Sequence, residues 1–328
     1  MDSQQVRWGV LGTGNIIAKG GNALHQSSNG SWLGVAGRNE ANSRAAAEKY
    51  NVPRAYAGYE ELLSDPDIDA VYIALLNHLH KEWAIRACEA GKHVLLEKPL
   101  AMTAADAECI RAAAERHGVL VQEALVWRYY DSSPAIRRMI EAGAIGELVT
   151  MRGHFSSIQG QRSTRWIKEW GGGSMYDIGC YPVSWARYFI GDEPWAASGC
   201  AVMDEKHGID RRFTGTLIFS GGRCAHVESA FDMPHGSFFE LLGTKGRLHI
   251  VMNANPERIV IRCTDGQGEE MSWTHDRITP FRRQAEHFAE AVLGRAPLIY
   301  GIDDAVNQAK AVDLLLEAAA ANERLRQG

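Results

Sequence analysis

The first 125 residues alternate short apolar runs with helical segments, and this rhythm confines them to a parallel sheet wrapped on both faces by helices. Val6-Arg7-Trp8-Gly9-Val10-Leu11 reads as a strand, followed by a Gly-Thr-Gly loop and a helix from Ile16 to His25. Trp32 to Ala36 reads as a second strand and Asn42 to Tyr50 as a helix. A short strand at Ala55-Tyr56 and a short helix from Tyr59 to Ser64 come next. Ala70-Val71-Tyr72-Ile73-Ala74-Leu75 is continuously apolar, as a strand covered on both faces must be. A helix then runs to Ala90, with Gly91 suited to its C-cap. The strand His93 to Leu96, a helix from Thr103 to Arg116 and the strand Val119 to Val121 complete the series.

Ligands of such sheets bind at the carboxyl ends of the strands, so the residues there carry the functional reading. After the first strand comes Gly12-Thr13-Gly14-Asn15-Ile16. Gly12 allows a tight turn, and Gly14 lets the backbone approach a pyrophosphate at a helix N-terminus. Ile17 stands where a third small residue is usual, which leaves helix packing there open. A bare structural turn is the competing reading. After the second strand comes Gly37-Arg38-Asn39. A carboxylate at this point would hold the ribose 2′-hydroxyl of NAD. Arg38 suits the 2′-phosphate of NADP, by charge and by its forked donors, or else is a solvated loop residue. NADP is therefore expected, with NAD as the alternative. Leu75, Asn77 and His80 follow another strand. Asn77 either meets a nicotinamide ribose or caps a helix. His80 reads as a local packing or hydrogen-bonding group. Glu97-Lys98-Pro99 puts a cation at the end of the strand His93 to Leu96.

The rhythm changes beyond Trp127-Arg128-Tyr129-Tyr130. A helix near Pro134 to Glu141 precedes an alternating strand, Leu148 to Phe155. Further strands are expected at Arg212–Phe219, Arg223–Phe231, Phe238–Leu242, Arg247–Val251, Arg258–Cys263 and Glu270–His275, with turns such as Gly243-Thr244-Lys245-Gly246 between them. This is a mainly antiparallel sheet, one face of which needs a cover. The final helix starts near Asp303, with an apolar stripe through Ala305, Val312, Leu315 and Ala319. The chain thus divides into residues 1–125 and 126–328. In the second part, Gly171-Gly172-Gly173-Ser174 leads to a helix expected to begin around Asp177. Asp177 and Tyr181 are four apart and would share one face of it. The competing reading is an Asp N-cap and a half-buried tyrosine.

Composition excludes several classes. The net charge of −5 argues against nucleic acid as a partner. No apolar run reaches the length of a membrane span, and Met1-Asp2-Ser3-Gln4-Gln5 lacks signal-peptide character. Six cysteines at least 20 residues apart, without a CxxC pair, fit reduced thiols in a cytoplasm and leave no metal site.

Together the Gly12-Thr13-Gly14 loop, Val71-Tyr72-Ile73-Ala74 with Asn77 and His80, Ala90-Gly91-Lys92-His93-Val94-Leu95, Glu97-Lys98-Pro99 and the stretch from Gly171 to Tyr181 resemble the glucose-fructose oxidoreductase / inositol dehydrogenase / rhizopine-catabolism (Gfo/Idh/MocA) family. The resemblance implies an N-terminal Rossmann domain and a C-terminal α+β domain for substrate binding and oligomerisation. The open sheet of that second domain would make a homodimer or homotetramer. It also implies NAD(P)-dependent chemistry on CH–OH groups of sugars, polyols and related compounds. Lys98 falls on the lysine that reaches the substrate oxygen, and Asp177 on the family's second-domain aspartate. Tyr181 stands where many members have histidine. That aligns the chain with the branch of glucose-fructose oxidoreductase, dihydrodiol dehydrogenase and NADP-dependent xylose dehydrogenases. The absence of a long arm before the first strand argues against a permanently bound cofactor.

The expected catalytic residues are Lys98, Asp177 and Tyr181. Tyr181 exchanges the proton, Lys98 favours its phenolate and steadies charge on the reacting oxygen, and Asp177 orients the lysine or binds a substrate hydroxyl. Cofactor contacts are expected from residues 12–16, 37–39, Leu75, Asn77, His80, Glu97, Lys98 and Arg128. Arg128, Arg165 and Trp166 are pocket candidates, with surface or core packing as the alternative. A redox-neutral, nicotinamide-dependent glycosidase and a non-catalytic NADP-binding regulator are the competing functions.

Overall fold

The computed structural model describes residues 5–327 except residue 256, without the side chains of residues 326 and 327. The segment Met1 to Gln4, read above for signal-peptide character, lies outside the described residues. The chain forms two compact units. The first holds the chain up to Tyr129 and again Asp276–Val306; the second holds Tyr130–His275 and the chain from Asn307. The linear division at 125/126 does not include this return of residues 276–306.

The first unit is built on a six-stranded parallel sheet of β1 (Val6–Leu11), β2 (Gly30–Ala36), β3 (Arg54–Tyr56), β4 (Ala70–Ile73), β5 (His93–Leu96) and β6 (Val121–Glu123), in the order β3-β2-β1-β4-β5-β6. That is the doubly wound order, with its switch point between β1 and β4. Its helices are α1 (Gly20–Gln26), α2 (Glu40–Tyr50), α3 (Tyr59–Leu63), α4 (His80–Glu89) and α5 (Ala104–His117). Thr103 caps α5 by accepting from the Asp106 amide at 3.1 Å, and Gly118 ends it in the left-handed region. β6 starts two residues later than expected, because Val119 is engaged by the Ala114 carbonyl at the end of α5.

The second unit contains α6 (Ser132–Glu141), β7 (Leu148–Ser156), α7 (Cys180–Ile190), β8 (Ala196–Asp204), β9 (Ile209–Ile218), β10 (Cys224–Ala230), β11 (Gly236–Gly243), β12 (Arg247–Ala254), β13 (Arg258–Asp265) and β14 (Glu270–Asp276). The strands form one eight-stranded sheet in the order β14-β13-β12-β11-β7-β10-β9-β8. β8–β9, β9–β10, β7–β11, β11–β12 and β12–β13 pair antiparallel, and β7–β10 pairs parallel. Met151, Phe213, Leu217, Ala225, Val227, Phe239 and Leu241 line its buried face. Arg152, Thr214, His226, Glu228 and Phe238 lie on the other, largely open face.

Two elements were absent from the sequence reading: β8 and the helix α8 (Thr279–Val292). α8 belongs to the first unit, where Phe288 packs against Trp8 with ring centroids 5.6 Å apart. The last helix, α9 (Ile302–Gln327), buries Ala305, Val306, Val312, Leu315 and Ala319. No helix among the described residues is long and apolar enough to cross a membrane. All six cysteines are free, and no cluster of metal-ligating side chains occurs among the described residues.

Candidate active site

In the first unit, the expected site residues gather at the carboxyl ends of β1, β2, β4 and β5. Gly12 sits at φ +112°, and a Cβ there would stand 2.3 Å from the Ala74 carbonyl oxygen. Its amide donates to the Ala36 carbonyl at 2.8 Å. Gly12 is therefore demanded by the protein itself, where the ends of β1, β2 and β4 converge. Gly14 is different. Its φ of −73° suits any residue, and a Cβ there would meet nothing within 4 Å. Neither backbone nor neighbours require glycine at 14. Asn15 and Ile16 continue from it into a 3-10 turn, Asn15–Ala18.

Ile17 is buried in the core, and close packing of helix on sheet has moved along the chain. A Cβ on Gly20 would lie 2.5 Å from the Tyr72 ring, and one on Gly21 2.5 Å from the Trp32 ring. The consecutive glycines at 20 and 21 were the signal for this in the sequence.

Gly37 is packed between Thr13 and Asn42, and its amide donates to the Ser43 hydroxyl at 2.7 Å. Asn39 caps α2, accepting from the Asn42 amide at 2.9 Å. Arg38 is exposed, and no hydrogen bond or ion pair with the described residues engages its guanidinium. Asn77 caps neither the 3-10 turn Asn77–Leu79, whose N-cap is Leu76, nor α4, whose N-cap is Leu79.

His80 is fully buried. Its Nδ1 lies 2.7 Å from the Pro99 carbonyl oxygen and its Nε2 3.2 Å from that of Leu75. Burial pushes its pKa down to about 4, with the charge of Lys98 contributing. The neutral ring has one N–H, and the shorter contact assigns it to Nδ1, donating to Pro99. His80 thus ties the Glu97-Lys98-Pro99 segment, whose Lys98–Pro99 bond is cis, to the end of β4.

The Glu97 carboxylate accepts from the Tyr72 hydroxyl and from the Lys98 amide. Desolvation raises its pKa, against the pull of Tyr72, Lys98 and Lys19. Lys19 escaped the sequence reading. It precedes α1, and its pKa is lowered chiefly by burial and then by Arg277, with Glu97 opposing. Arg128, expected to touch the cofactor, is buried: its guanidinium pairs with Asp304 and lies 4.5 Å from the Tyr300 ring centre. That is the packing alternative.

In the second unit, Asp177 does not begin an α-helix. It lies within a π turn, Met175–Gly179, that runs into α7. Single π turns of this kind are frequent at functional sites. Its carboxylate accepts from Arg165 Nε at 2.6 Å. Arg165 belongs to a 3-10 turn, Thr164–Trp166, anchored to the glycine run: Gly172 and Gly173 donate to the Ile167 and Arg165 carbonyls at 2.9 and 3.0 Å. Tyr181, in the first turn of α7, is half-buried beside Phe155, with ring centroids 5.4 Å apart. Trp166 is only 4% exposed and packs against His207 and Phe231, again the packing alternative.

A doubly wound sheet with an open glycine loop at its switch point and a lysine at a strand end, carried with an α+β unit, defines the class as a nicotinamide-dependent oxidoreductase. The family model described as "Oxidoreductase family, NAD-binding Rossmann fold" matches residues 6–125, and that of the GFO/IDH/MocA C-terminal domain matches residues 134–249. The chain belongs to the Gfo/Idh/MocA family. It is 33% identical over 317 residues to D-xylose 1-dehydrogenase (NADP(+)) 2 of Haloferax volcanii, covering 95% of this chain and 97% of that protein. It is 32% identical over 252 residues to trans-1,2-dihydrobenzene-1,2-diol dehydrogenase of Xenopus laevis, covering 74% of each. The crystal structure of KijD10, a 3-ketoreductase from Actinomadura kijaniata in complex with NADP and TDP-benzene, superposes with a TM-score of 0.87 at 26% identity, covering 96% of this chain and 98% of that one.

Proposed function

We propose that this chain is an NADP-preferring dehydrogenase or reductase acting on a CH–OH or carbonyl carbon of a sugar, polyol or related compound. The observation that carries the reading is the open glycine loop in the same sheet end as Lys98, together with an exposed Arg38, without a hydrogen bond or ion pair to the described residues, where an NAD-binding domain has a carboxylate. The names of the xylose and dihydrodiol dehydrogenases support the substrate class, and the former supports NADP.

The Gly12–Ile16 loop would hold the pyrophosphate, Arg38 the 2′-phosphate, and Asn77 the ribose nearest the reacting ring. The bound nicotinamide supplies or accepts the hydride. Lys98 donates to the reacting oxygen and stabilises the charge that develops on it, the effect that preorganised donors exert most strongly in sites closed to water. Tyr181 exchanges the hydroxyl proton with that oxygen. Asp177, kept in place by Arg165, accepts from a substrate hydroxyl and orients the sugar.

The test is a panel of aldoses, polyols and dihydrodiols, starting with D-xylose, with NADP and then NAD, read by reduced-nicotinamide absorbance. Lys98→Ala should lose turnover by orders of magnitude while still binding NADP, and Tyr181→Phe should be severely impaired. Cofactor binding with no turnover on any member would instead favour a regulatory protein. The open face of the eight-stranded sheet is the proposed homodimer or homotetramer surface, and six free thiols fit a cytoplasmic setting.

A further inference from the structure

The π turn that carries Asp177 rests on a buried carboxylate from another strand. Asp210 is 7% exposed, and its Oδ2 accepts from the Ser174 hydroxyl at 2.7 Å and from the Met175 amide at 2.8 Å. Ser174 is fully buried and its Oγ also lies 2.8 Å from Ser229 Oγ. The other carboxylate oxygen faces Gly173, where an added Cβ would stand 2.2 Å away. Gly173 sits at φ +125°, and its carbonyl accepts from the Asp177 amide at 3.2 Å. Asp210 therefore fixes the residue that starts the π turn and the glycine on which Asp177 hangs. The same glycine donates to the Arg165 carbonyl at 3.0 Å, and Arg165 grips the Asp177 carboxylate. Backbone and side chain of Asp177 are both referred to one buried group.

The register of the sheet shifts beside this group. Val202 of β8 pairs with Arg212, but the next residue, Met203, pairs with Asp210. Arg211 is the extra residue of a bulge, which reverses the inward and outward alternation ahead of it. Phe213 and Leu217 point into the core by ordinary alternation; the bulge turns Asp210 inward as well. Burying a carboxylate is costly, and a serine or asparagine serves an ordinary helix N-terminus equally well. A bulge that delivers a full carboxylate to a π turn goes beyond what capping requires.

We propose that Asp210 is a positioning residue for the reaction, acting through Asp177. This inference rests on the role proposed above for Asp177. The experiment uses the full chain with NADP and the most active compound of the panel. It measures kcat, both KM values and thermal melting for wild type, Asp177→Asn, Asp210→Asn, Asp210→Ala and the double variant Asp210→Asn/Asp177→Asn. Asp210→Asn keeps an acceptor and should melt near the wild-type temperature with an unchanged KM for NADP. Its kcat should fall about 10- to 100-fold, the penalty of small misplacements in a reacting site. Asp210→Ala should fall further. The double variant should be no more than about twofold worse than Asp177→Asn alone, because both changes act through one group. Wild-type kcat in Asp210→Asn, beside an impaired Asp177→Asn, overturns the inference. So do losses that multiply in the double variant. Wild-type turnover in Asp177→Asn overturns the parent assignment, and the inference with it. If Asp210→Ala does not fold, Ser174→Ala, which removes one bond to the carboxylate, should still lower kcat severalfold at unchanged KM for NADP; an unchanged kcat overturns the proposal.

Discussion

His80 Nδ1 stands 2.7 Å from the carbonyl oxygen of Pro99, so a buried imidazole on α4 holds the strand end that presents Lys98. His80→Ala removes that tie and leaves the Pro99 carbonyl without this donor. Turnover should fall about 10- to 100-fold through misplacement of Lys98, with the far-UV circular dichroism unchanged. Wild-type kcat in this variant would remove His80 from the site's supporting structure.

The same histidine makes stability depend on pH. Its folded pKa of about 4 lies below the ordinary value of 6.5. A base depressed in this way stabilises the fold above the unfolded pKa, and that contribution is lost as pH falls toward the folded value. The loss between pH 6.5 and 4 can reach about 3 kcal/mol, at 1.36 kcal/mol per unit. Denaturant melts of wild type and His80→Gln at pH 7, 5.5 and 4.5 check this. The wild type should lose stability relative to the variant as pH drops, and parallel curves would count against it.

Gly12 and Gly14 separate a structural glycine from one proposed to serve the cofactor. Gly12→Ala forces a Cβ to within 2.3 Å of Ala74 O at a positive φ. It should destabilise by about 1–3 kcal/mol or more, visible as a lower melting temperature without ligand. Gly14→Ala meets open space at φ −73° and should melt at or slightly above the wild-type temperature. Its NADPH affinity, titrated by fluorescence, should fall at least about tenfold, since the methyl takes the place meant for the pyrophosphate. Equal effects on both properties in both variants would undo the distinction.

The first unit was legible because its strands are buried on both faces and its helices carry their own signals, such as Thr103 before α5 and Gly118 after it. What escaped the sequence was held by tertiary contacts. Ala196-Ala197-Ser198-Gly199-Cys200-Ala201 has little strand preference of its own and becomes β8 by pairing with β9. α8 was hidden because Pro280 reads as a breaker, although proline is tolerated in a helix's first turn, and because its apolar stripe is mostly alanine around Phe288. In the site, Asp177 and Tyr181 were visible as a spaced pair. The π turn was not: its first residue donates to Asp210, 33 residues after Asp177 and next to a register shift that no local pattern encodes.

The open sheet face makes oligomeric state testable. Phe238 is 37% exposed there and stacks on His154, ring centroids 4.9 Å apart. Phe238→Asp puts a charge on the proposed contact. Light scattering should report a dimer or tetramer for wild type and a shift toward monomer for the variant, with melting of the isolated subunit little changed. A monomeric wild type at micromolar concentration would exclude the face as an association surface.

The proposed cofactor preference rests on Arg38. Its guanidinium is exposed and no hydrogen bond or ion pair with the described residues engages it, so its loss should leave the fold untouched. A charge-assisted, forked contact to a 2′-phosphate contributes about 1.5–3 kcal/mol. Arg38→Ala should then weaken NADP by about 10- to 100-fold while changing NAD by less than about threefold. Arg38→Asp should go further, because a carboxylate repels the 2′-phosphate and accepts from the 2′-hydroxyl of NAD. The ratio of kcat/KM for NADP over NAD, measured on all three proteins with one substrate, should fall in that order. A ratio unmoved by Arg38→Asp would mean that the arginine is a solvated loop residue and that the preference, if any, is set elsewhere.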